Sequence, residues 1–151
     1  MCIEDGIYLV LFGMVLDGYY VKLQDAYVSE SNKVGSWKLI GYVAPGAKSA
    51  SEEGANFKYY AGTSPAIDAT EGLALSGEGG FAESVVWGAV NTAALNECAL
   101  QSETAAANAN WKVSAKAASN GNSLLYKAEV STNCKQLTPT FEALSSKGYD
   151  N

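Results

Sequence analysis

The sequence predicts an α+β fold in which one N-terminal helix packs on an antiparallel sheet of about four strands. Three observations lead to this prediction. An apolar segment near the start continues into a pattern of helical period, and short apolar and aromatic segments separated by turn residues follow it. Two of those segments alternate in polarity on either side of an Asn-Gly pair. The 151 residues suffice for one domain with a hydrophobic core, so we assign residues 1–31 to the helix and residues 32–151 to a β-rich head.

The helix prediction rests on residues 7–31. Residues 7–16 form a run of ten apolar residues that includes one glycine. Apolar residues then recur at spacings of four, three and four, with polar residues between them: Leu16, Tyr20, Leu23 and Tyr27. This is the spacing of one helix face, and Gly35 is a suitable stop after it. The helix is therefore expected to be apolar all round at its start and on one face at its end.

The rest of the chain has the signals of strands and loops. Five segments have strand character: residues 37–43, 56–61, 83–90, 111–117 and 124–130. The last two, joined through Asn120-Gly121, predict a β-hairpin. Residues 62–80 are glycine-rich and predict a long surface loop, and residues 48–54 a polar loop. Residues 91–98 predict a turn with a short helical piece, and the tail from residue 134 is expected to be irregular.

The composition argues against most kinds of catalysis. The chain contains neither histidine nor arginine, and its ten basic residues face sixteen acidic ones. Histidine is the usual proton shuttle and metal ligand near neutral pH, and arginine is the usual clamp for phosphate and carboxylate groups. A net charge of −6 leaves no basic surface for nucleic acid. We therefore predict a protein that is not an enzyme, binds no cofactor or metal, and has no nucleic-acid partner.

The cysteines and the surface composition are typical of an exported protein. Ala, Gly, Ser, Thr and Asn are abundant. Cys98 and Cys134 lie in the body of the domain, whereas Cys2 stands alone near the start. The first two suit one structural disulfide in an oxidising compartment, and the alternative is a pair of buried free thiols.

The order of these parts resembles that of type IV pilins and pseudopilins. The local amino-acid sequence resembles that of the globular domain of Fibrobacter-type pilins. The resemblance is carried by about half of the chain, in the segments YVKLQDAYVSESNKVGSWKLIGYVAPG (residues 20–46), NFKYY (56–60), the WxAVNTAALNEC pattern (87–98), NWKV (110–113) and CKQLTPTFE (134–142). It implies a helix packed on a four-stranded antiparallel sheet and favours a C-terminal disulfide between Cys98 and Cys134. It also implies an extracellular, cell-surface filament built from copies of this chain or other pilin-like subunits.

The resemblance leads to an expected assembly interface on the apolar run. Its members are Ile7, Leu9, Val10, Phe12, Val15 and Leu16. An exposed apolar run of this length is expected to bury itself against a neighbour, and folding back onto its own sheet is the alternative. The run is shorter than the ~18–20 residues that span a membrane, and acidic residues, Glu4 and Asp5, precede it where a secretory signal has basic ones.

The start of the chain departs from the pilin pattern. It lacks the basic leader and the Phe-Thr-Leu-Ile-Glu segment, and about half of the expected helix is missing ahead of Tyr20. Three explanations are open: a truncated or wrongly assigned start, a divergent minor subunit, or the globular partner of a split pilin whose N-terminal helix is a separate chain.

Two further sets of residues suggest other functions. Seven aromatic residues could form a stacking platform for sugar rings, which would make the chain a secreted carbohydrate-binding module with polysaccharide as its ligand: Trp37, Tyr42, Tyr59, Tyr60, Trp87, Trp111 and Tyr126. Packing in a β-rich core is the competing interpretation, and solvent exposure separates the two. The pair Glu52-Glu53 suggests a carboxylate hydrolase only weakly, because both residues fall on a predicted polar loop. Asp68, Glu71 and Glu78 lack the spacing of a known calcium loop.

Overall fold

A computed structural model of the chain describes residues 18–44, 52–53, 57–102 and 105–150. Helix α1 runs through residues 18–31 and a second helix, α2, through Trp37–Ile40. The strands are β1 (Lys33–Val34), β2 (Glu52–Glu53), β3 (Phe57–Ala61), β4 (Leu73–Ala74), β5 (Ser84–Asn91), β6 (Trp111–Ala117) and β7 (Leu124–Val130). Three 3₁₀ turns complete the described elements: η1 (Ala106–Asn108), η2 (Thr132–Leu137) and η3 (Phe141–Leu144).

The strands form two antiparallel sheets, which confirms the α+β class. The main sheet has the order β2-β3-β5-β6-β7, and four of its strands are five to eight residues long. The fifth, β2, is a two-residue edge strand. A small sheet pairs β1 with β4 and ties the loop after β3 to the end of α1. The predicted sheet of about four strands is therefore present. Strand β2 and the small β1–β4 sheet are additions to it.

The β6–β7 hairpin follows the alternation of its sequence. Trp111, Val113 and Ala115 of β6 are buried, and their neighbours face outward between them. On β7 the buried and half-buried residues alternate along the whole strand. The turn between the strands places Gly121 at a φ of 72°, a left-handed conformation that glycine adopts without strain. The hairpin prediction is confirmed.

Residues 37–43 were expected to form a strand, and this prediction is wrong. Trp37–Ile40 is a single helical turn. The Ser36 hydroxyl accepts a hydrogen bond from the amide of Leu39 at 3.1 Å, and Gly41 ends the helix at a φ of 76°. Such a capped turn has the same short apolar pattern as a strand, so periodicity alone could not separate the two.

Three predictions for the connecting segments also change. The short helical piece expected within residues 91–98 is instead a turn closed by an antiparallel bridge between Leu95 and Cys98. Residues 62–80 are mostly loop as predicted, yet they contain β4 and the buried side chain of Leu75. Glu52 and Glu53 were placed on a loop and belong to β2.

Helix α1 packs on the head through a stripe of three buried residues one turn apart, Tyr20, Gln24 and Val28. The second half of the predicted helix is thus observed, and the first half, residues 7–17, lies outside the described residues. Tyr20 meets Trp37 and Tyr42, with ring centroids 6.3 and 5.3 Å away. These contacts join the helix to the aromatic core.

The central residue of that stripe is polar. The Gln24 side-chain amide donates to the carbonyl oxygen of Gly35 at 2.8 Å and to the Tyr20 hydroxyl at 3.1 Å. Its carbonyl oxygen accepts from the amide of Gly35 at 2.8 Å. Gln24 is fully buried, and Gly35 is buried too, so one side chain satisfies both backbone groups of a residue that no strand pairs. We call this arrangement the Gln24 clamp.

Residues 145–150, which we call the C-terminal strap, wrap around the edge of β7. Before the strap, the Phe141 ring is buried on the core side of the sheet, 6.2 Å from Trp87. The hydroxyl of Ser146 accepts from the Tyr126 amide at 3.0 Å, and that of Ser145 accepts from the Ala128 amide at 2.9 Å. Beyond the edge, the strap continues onto the outer face of the sheet, where Tyr149 lies between lysines.

Replacement of Gln24 by leucine should destabilise the protein by about 3 kcal/mol, because the backbone groups of Gly35 would lose their partner while staying buried. Urea unfolding followed by circular dichroism measures the change. Lys22→Leu, at an exposed position of the same helix, is the matched control and should shift the free energy of unfolding by less than about 0.5 kcal/mol. Equal effects of the two variants would contradict the clamp.

Candidate functional site

The residues expected to form the assembly interface, Ile7, Leu9, Val10, Phe12, Val15 and Leu16, lie outside the described part of the chain. What the structure adds is the junction that follows them. Helix α1 is fixed to the head by the Gln24 clamp and by a bond from the Tyr126 hydroxyl to the Asp25 carboxylate at 2.9 Å. Desolvation raises the pKa of Asp25, and the hydrogen bond from Tyr126 offsets part of that rise. The helix therefore has a defined orientation relative to the sheet.

Cys98 and Cys134 form the expected disulfide, and both are buried. The bond joins the loop after β5 to η2, 36 residues further on. Buried Asn91 organises that loop, since its side-chain amide lies 2.9 Å from the carbonyl oxygens of Ala93 and Ala99 and 3.3 Å from that of Cys98. Its side-chain oxygen accepts from the side-chain amide nitrogen of Asn110 at 2.7 Å, which connects the loop to the start of β6. The interpretation as free thiols is therefore wrong.

The aromatic residues weighed as a sugar platform belong mainly to the core. Six of the seven are at most 5% exposed, and Tyr60 is half-buried. The tryptophan N–H groups have buried partners: the Trp87 indole donates to the Tyr42 hydroxyl at 2.9 Å and the Trp111 indole to the Thr138 hydroxyl at 2.8 Å. A platform of coplanar rings in solvent is not formed by these seven side chains, and their packing interpretation is confirmed.

The acidic residues considered for catalysis or calcium do not converge. Asp68, Glu71 and Glu78 are all exposed along the loop between β3 and β5. Over the described ranges, no group of three or more Asp, Glu or Cys side chains is placed to hold a metal ion. Glu52 and Glu53 pair through their backbone with Tyr59 and Lys58 at the edge of the main sheet.

The outer face of the sheet carries a polar groove of about 490 Å³. We call it the Tyr149 groove. Its main lining residues are Glu83, Ser114, Lys116, Lys127, Glu129 and Tyr149. The Tyr149 ring forms the centre, with the ammonium groups of Lys116 and Lys127 at 4.5 and 5.9 Å from its centroid. Lys116 also donates to the backbone carbonyl oxygen of Tyr149.

The charges of the Tyr149 groove are paired within the chain. Lys127 lies 3.0 Å from the Asp150 carboxylate, and this hydrogen bond raises the pKa of Lys127. Burial raises the pKa of Tyr149 as well, and a hydrogen bond with Glu83 adds to the rise. These contacts of Lys127 and Tyr149 hold the strap against the outer face of the sheet.

A second groove, of about 340 Å³, lies beside the disulfide. Leu100, Gln101, Asn110, Ser131 and Asn133 are among its lining residues. Gln101 and Ser131 use their side chains to bond Asn110, and Leu100 is 60% exposed. The polar groups here stabilise the loop around Cys98, so the groove serves the fold.

Sequence reasoning missed the Gln24 clamp and the Tyr149 groove. The clamp places a polar residue at the centre of an apolar stripe, where periodicity expects an apolar one. The groove combines residues from β5, β6, β7 and the strap, and a tail classed as irregular gave no sign of its position. The alternation of lysines with apolar residues on β6 and β7 did indicate a polar outer face.

The chain matches no protein-family model, no characterised protein sequence and no solved structure. Among the described residues, no helix is both long enough and apolar enough to cross a membrane.

Removal of the disulfide by Cys98→Ala and Cys134→Ala together should lower the free energy of unfolding by about 4 kcal/mol, from the entropy of closing a loop of this length. Chemical denaturation of both proteins measures the loss. Cys2→Ser is the control, and it should leave stability unchanged. A double variant as stable as the parent would show that the disulfide adds nothing to the fold.

Stability should fall at alkaline pH because burial raises the pKa of Tyr59 to about 12, above its ordinary value near 10. The folded state therefore holds the phenol proton more tightly, and this stabilisation is present below pH 10 and is lost as the pH rises towards 12. Thermal unfolding between pH 9 and 12 should show a shallower decline for Tyr59→Phe than for the parent. Tyr19→Phe, at an exposed position of α1, should decline as the parent does. An unchanged slope in Tyr59→Phe would contradict the assignment.

Proposed function

We propose that the chain is a structural subunit of a type IV pilus-like surface filament or of a related secretion pseudopilus. It assembles through its apolar N-terminal segment with copies of itself or with other pilin-like subunits. The resemblance of residues 20–46 and four later segments to pilin globular domains supports this proposal. So does the architecture, in which a helix packs against an antiparallel sheet whose C-terminal region is closed by a disulfide.

The observation that carries the proposal is the junction between α1 and the head. A filament subunit that is held by its helix must transmit load from that helix to the domain it displays. The Gln24 clamp and the Asp25–Tyr126 bond provide two polar links in addition to the aromatic packing of Tyr20. A helix that merely connected two flexible parts would need none of them.

The remaining features agree with a structural role outside the cell. The single disulfide stabilises the head in an oxidising compartment. Among the described residues, no group of three or more acidic or cysteine side chains is placed to hold a metal ion. The net charge is negative, which disfavours binding to nucleic acid. In the Tyr149 groove, Lys127 is paired with Asp150 of the same chain, which suits a domain displayed on a surface.

Aspartate at both Leu9 and Phe12 should abolish incorporation into filaments, because two charges would have to be buried in the assembly contact. Electron microscopy of material sheared from producing cells, with mass spectrometry of the same fraction, measures incorporation. The peptides also identify the mature N-terminus and the Cys98–Cys134 link.

The matched control carries the same two added carboxylates at the exposed tip of the β6–β7 hairpin, as Asn120→Asp and Asn122→Asp. It should be incorporated as the parent is. Circular dichroism should show that the head of each variant is folded. Normal incorporation of the Leu9 and Phe12 variant would rule out assembly through this segment.

A further inference from the structure

β7 is the last strand of the main sheet, and the strap covers its free edge without forming a strand. The residues of β7 that bond β6 are the odd-numbered ones, because the amides of Tyr126 and Ala128 instead reach the serine hydroxyls of the strap. The Tyr126 carbonyl oxygen accepts from the amide of Ser146 at 2.8 Å. Two serine side chains and one backbone amide thus satisfy the part of the edge that another strand would otherwise pair.

A free strand edge is a template for pairing with another chain, and natural proteins cover or distort such edges. We propose that the strap guards β7 against strand addition, and that the edge beneath it is a pairing surface for β7 of a second copy of this chain. The inference concerns a surface on the head and does not depend on assembly through the N-terminal segment.

The charges of β7 are complementary to those of a second β7 in one antiparallel register. In an antiparallel pair centred on Ala128, the two copies of Ala128 oppose each other and Tyr126 opposes Val130. Lys127 of each copy then lies opposite Glu129 of the other, which gives two pairs of opposite charge on the outer face. Centring the pair on Lys127 would place two lysines opposite each other, which is unfavourable.

The same charges explain how the strap competes with a second copy. In the structure the ammonium group of Lys127 is paired with Asp150 of the strap. Release of the strap frees both the edge amides and Lys127, and Glu129 of a second copy supplies the missing carboxylate. While the strap is attached to the same chain, its high effective concentration keeps the edge closed.

The test removes the strap by ending the chain at Leu144, which keeps the buried Phe141. The background carries Cys2→Ser and aspartate at Leu9 and Phe12, so that neither a thiol link nor the apolar segment can join two copies. Light scattering after size exclusion should give the mass of one chain with the strap and of two chains without it.

Charge exchange on β7 tests the register. In the shortened chain, Lys127→Glu should abolish the dimer because it places two glutamates opposite each other at each pair. Adding Glu129→Lys to that variant should restore the dimer with the charges reversed. A dimer that Lys127→Glu leaves intact would place the contact elsewhere and overturn the proposal, as would a shortened chain that stays monomeric.

A full-length variant provides the same test if the shortened chain does not fold. Ser146→Pro with Tyr149→Ala removes one hydroxyl, one backbone donor and the anchor on the outer face while the chain keeps its length. It should dimerise with the same sensitivity to Lys127→Glu. If neither strap variant folds, the strap belongs to the core rather than guarding an edge, and the proposal is wrong.

Discussion

The rest of the structure depends on how the backbone of Gly35 is satisfied. A Cβ at this position would lie 2.8 Å from the side chain of Ile40 and 2.9 Å from the ring of Tyr27, so any larger residue would require those side chains to shift. No strand pairs it there, and a buried amide and carbonyl require partners. The Gln24 side chain provides both. The next residues follow from this placement, because Ser36 then caps α2, and the Trp37 indole reaches the carbonyl oxygen of Val86 on β5 at 3.2 Å.

Much of this architecture could be read from local sequence. Alternation fixes which faces of β6 and β7 are buried, and the spacing of Tyr20, Leu23 and Tyr27 locates the helix face to within a residue. The segments around residues 57–61 and 84–91 are strands as expected. In each case the signal lies in neighbouring residues, because the period of the hydrophobic pattern matches the period of the element.

The features that escaped prediction depend on residues far apart in the chain. Gln24 is favoured in its apolar stripe because its side chain bonds the backbone of Gly35. The sequence around Gln24 gives no indication of that contact. The turn at Trp37 is helical because of its caps at Ser36 and Gly41, which outweigh the strand propensity of the apolar residues between them. The position of the strap depends on the hydroxyls of Ser145 and Ser146, which bond β7 residues some twenty positions earlier in the sequence. These serines are part of no hydrophobic pattern from which their position could be predicted.

The Asn91 network has a consequence for oxidative folding. Three cysteines allow three pairings, two of which would use Cys2. Asn91 ends β5 and bonds Asn110 just before β6, so the network forms when those two strands align, with Ala89 opposite Trp111. Its amide then turns the intervening loop so that Cys98 faces the interior near Cys134. The paired strands and the Asn91 hydrogen bonds therefore favour the Cys98–Cys134 pairing, because they hold the loop in the conformation in which these two sulfur atoms meet.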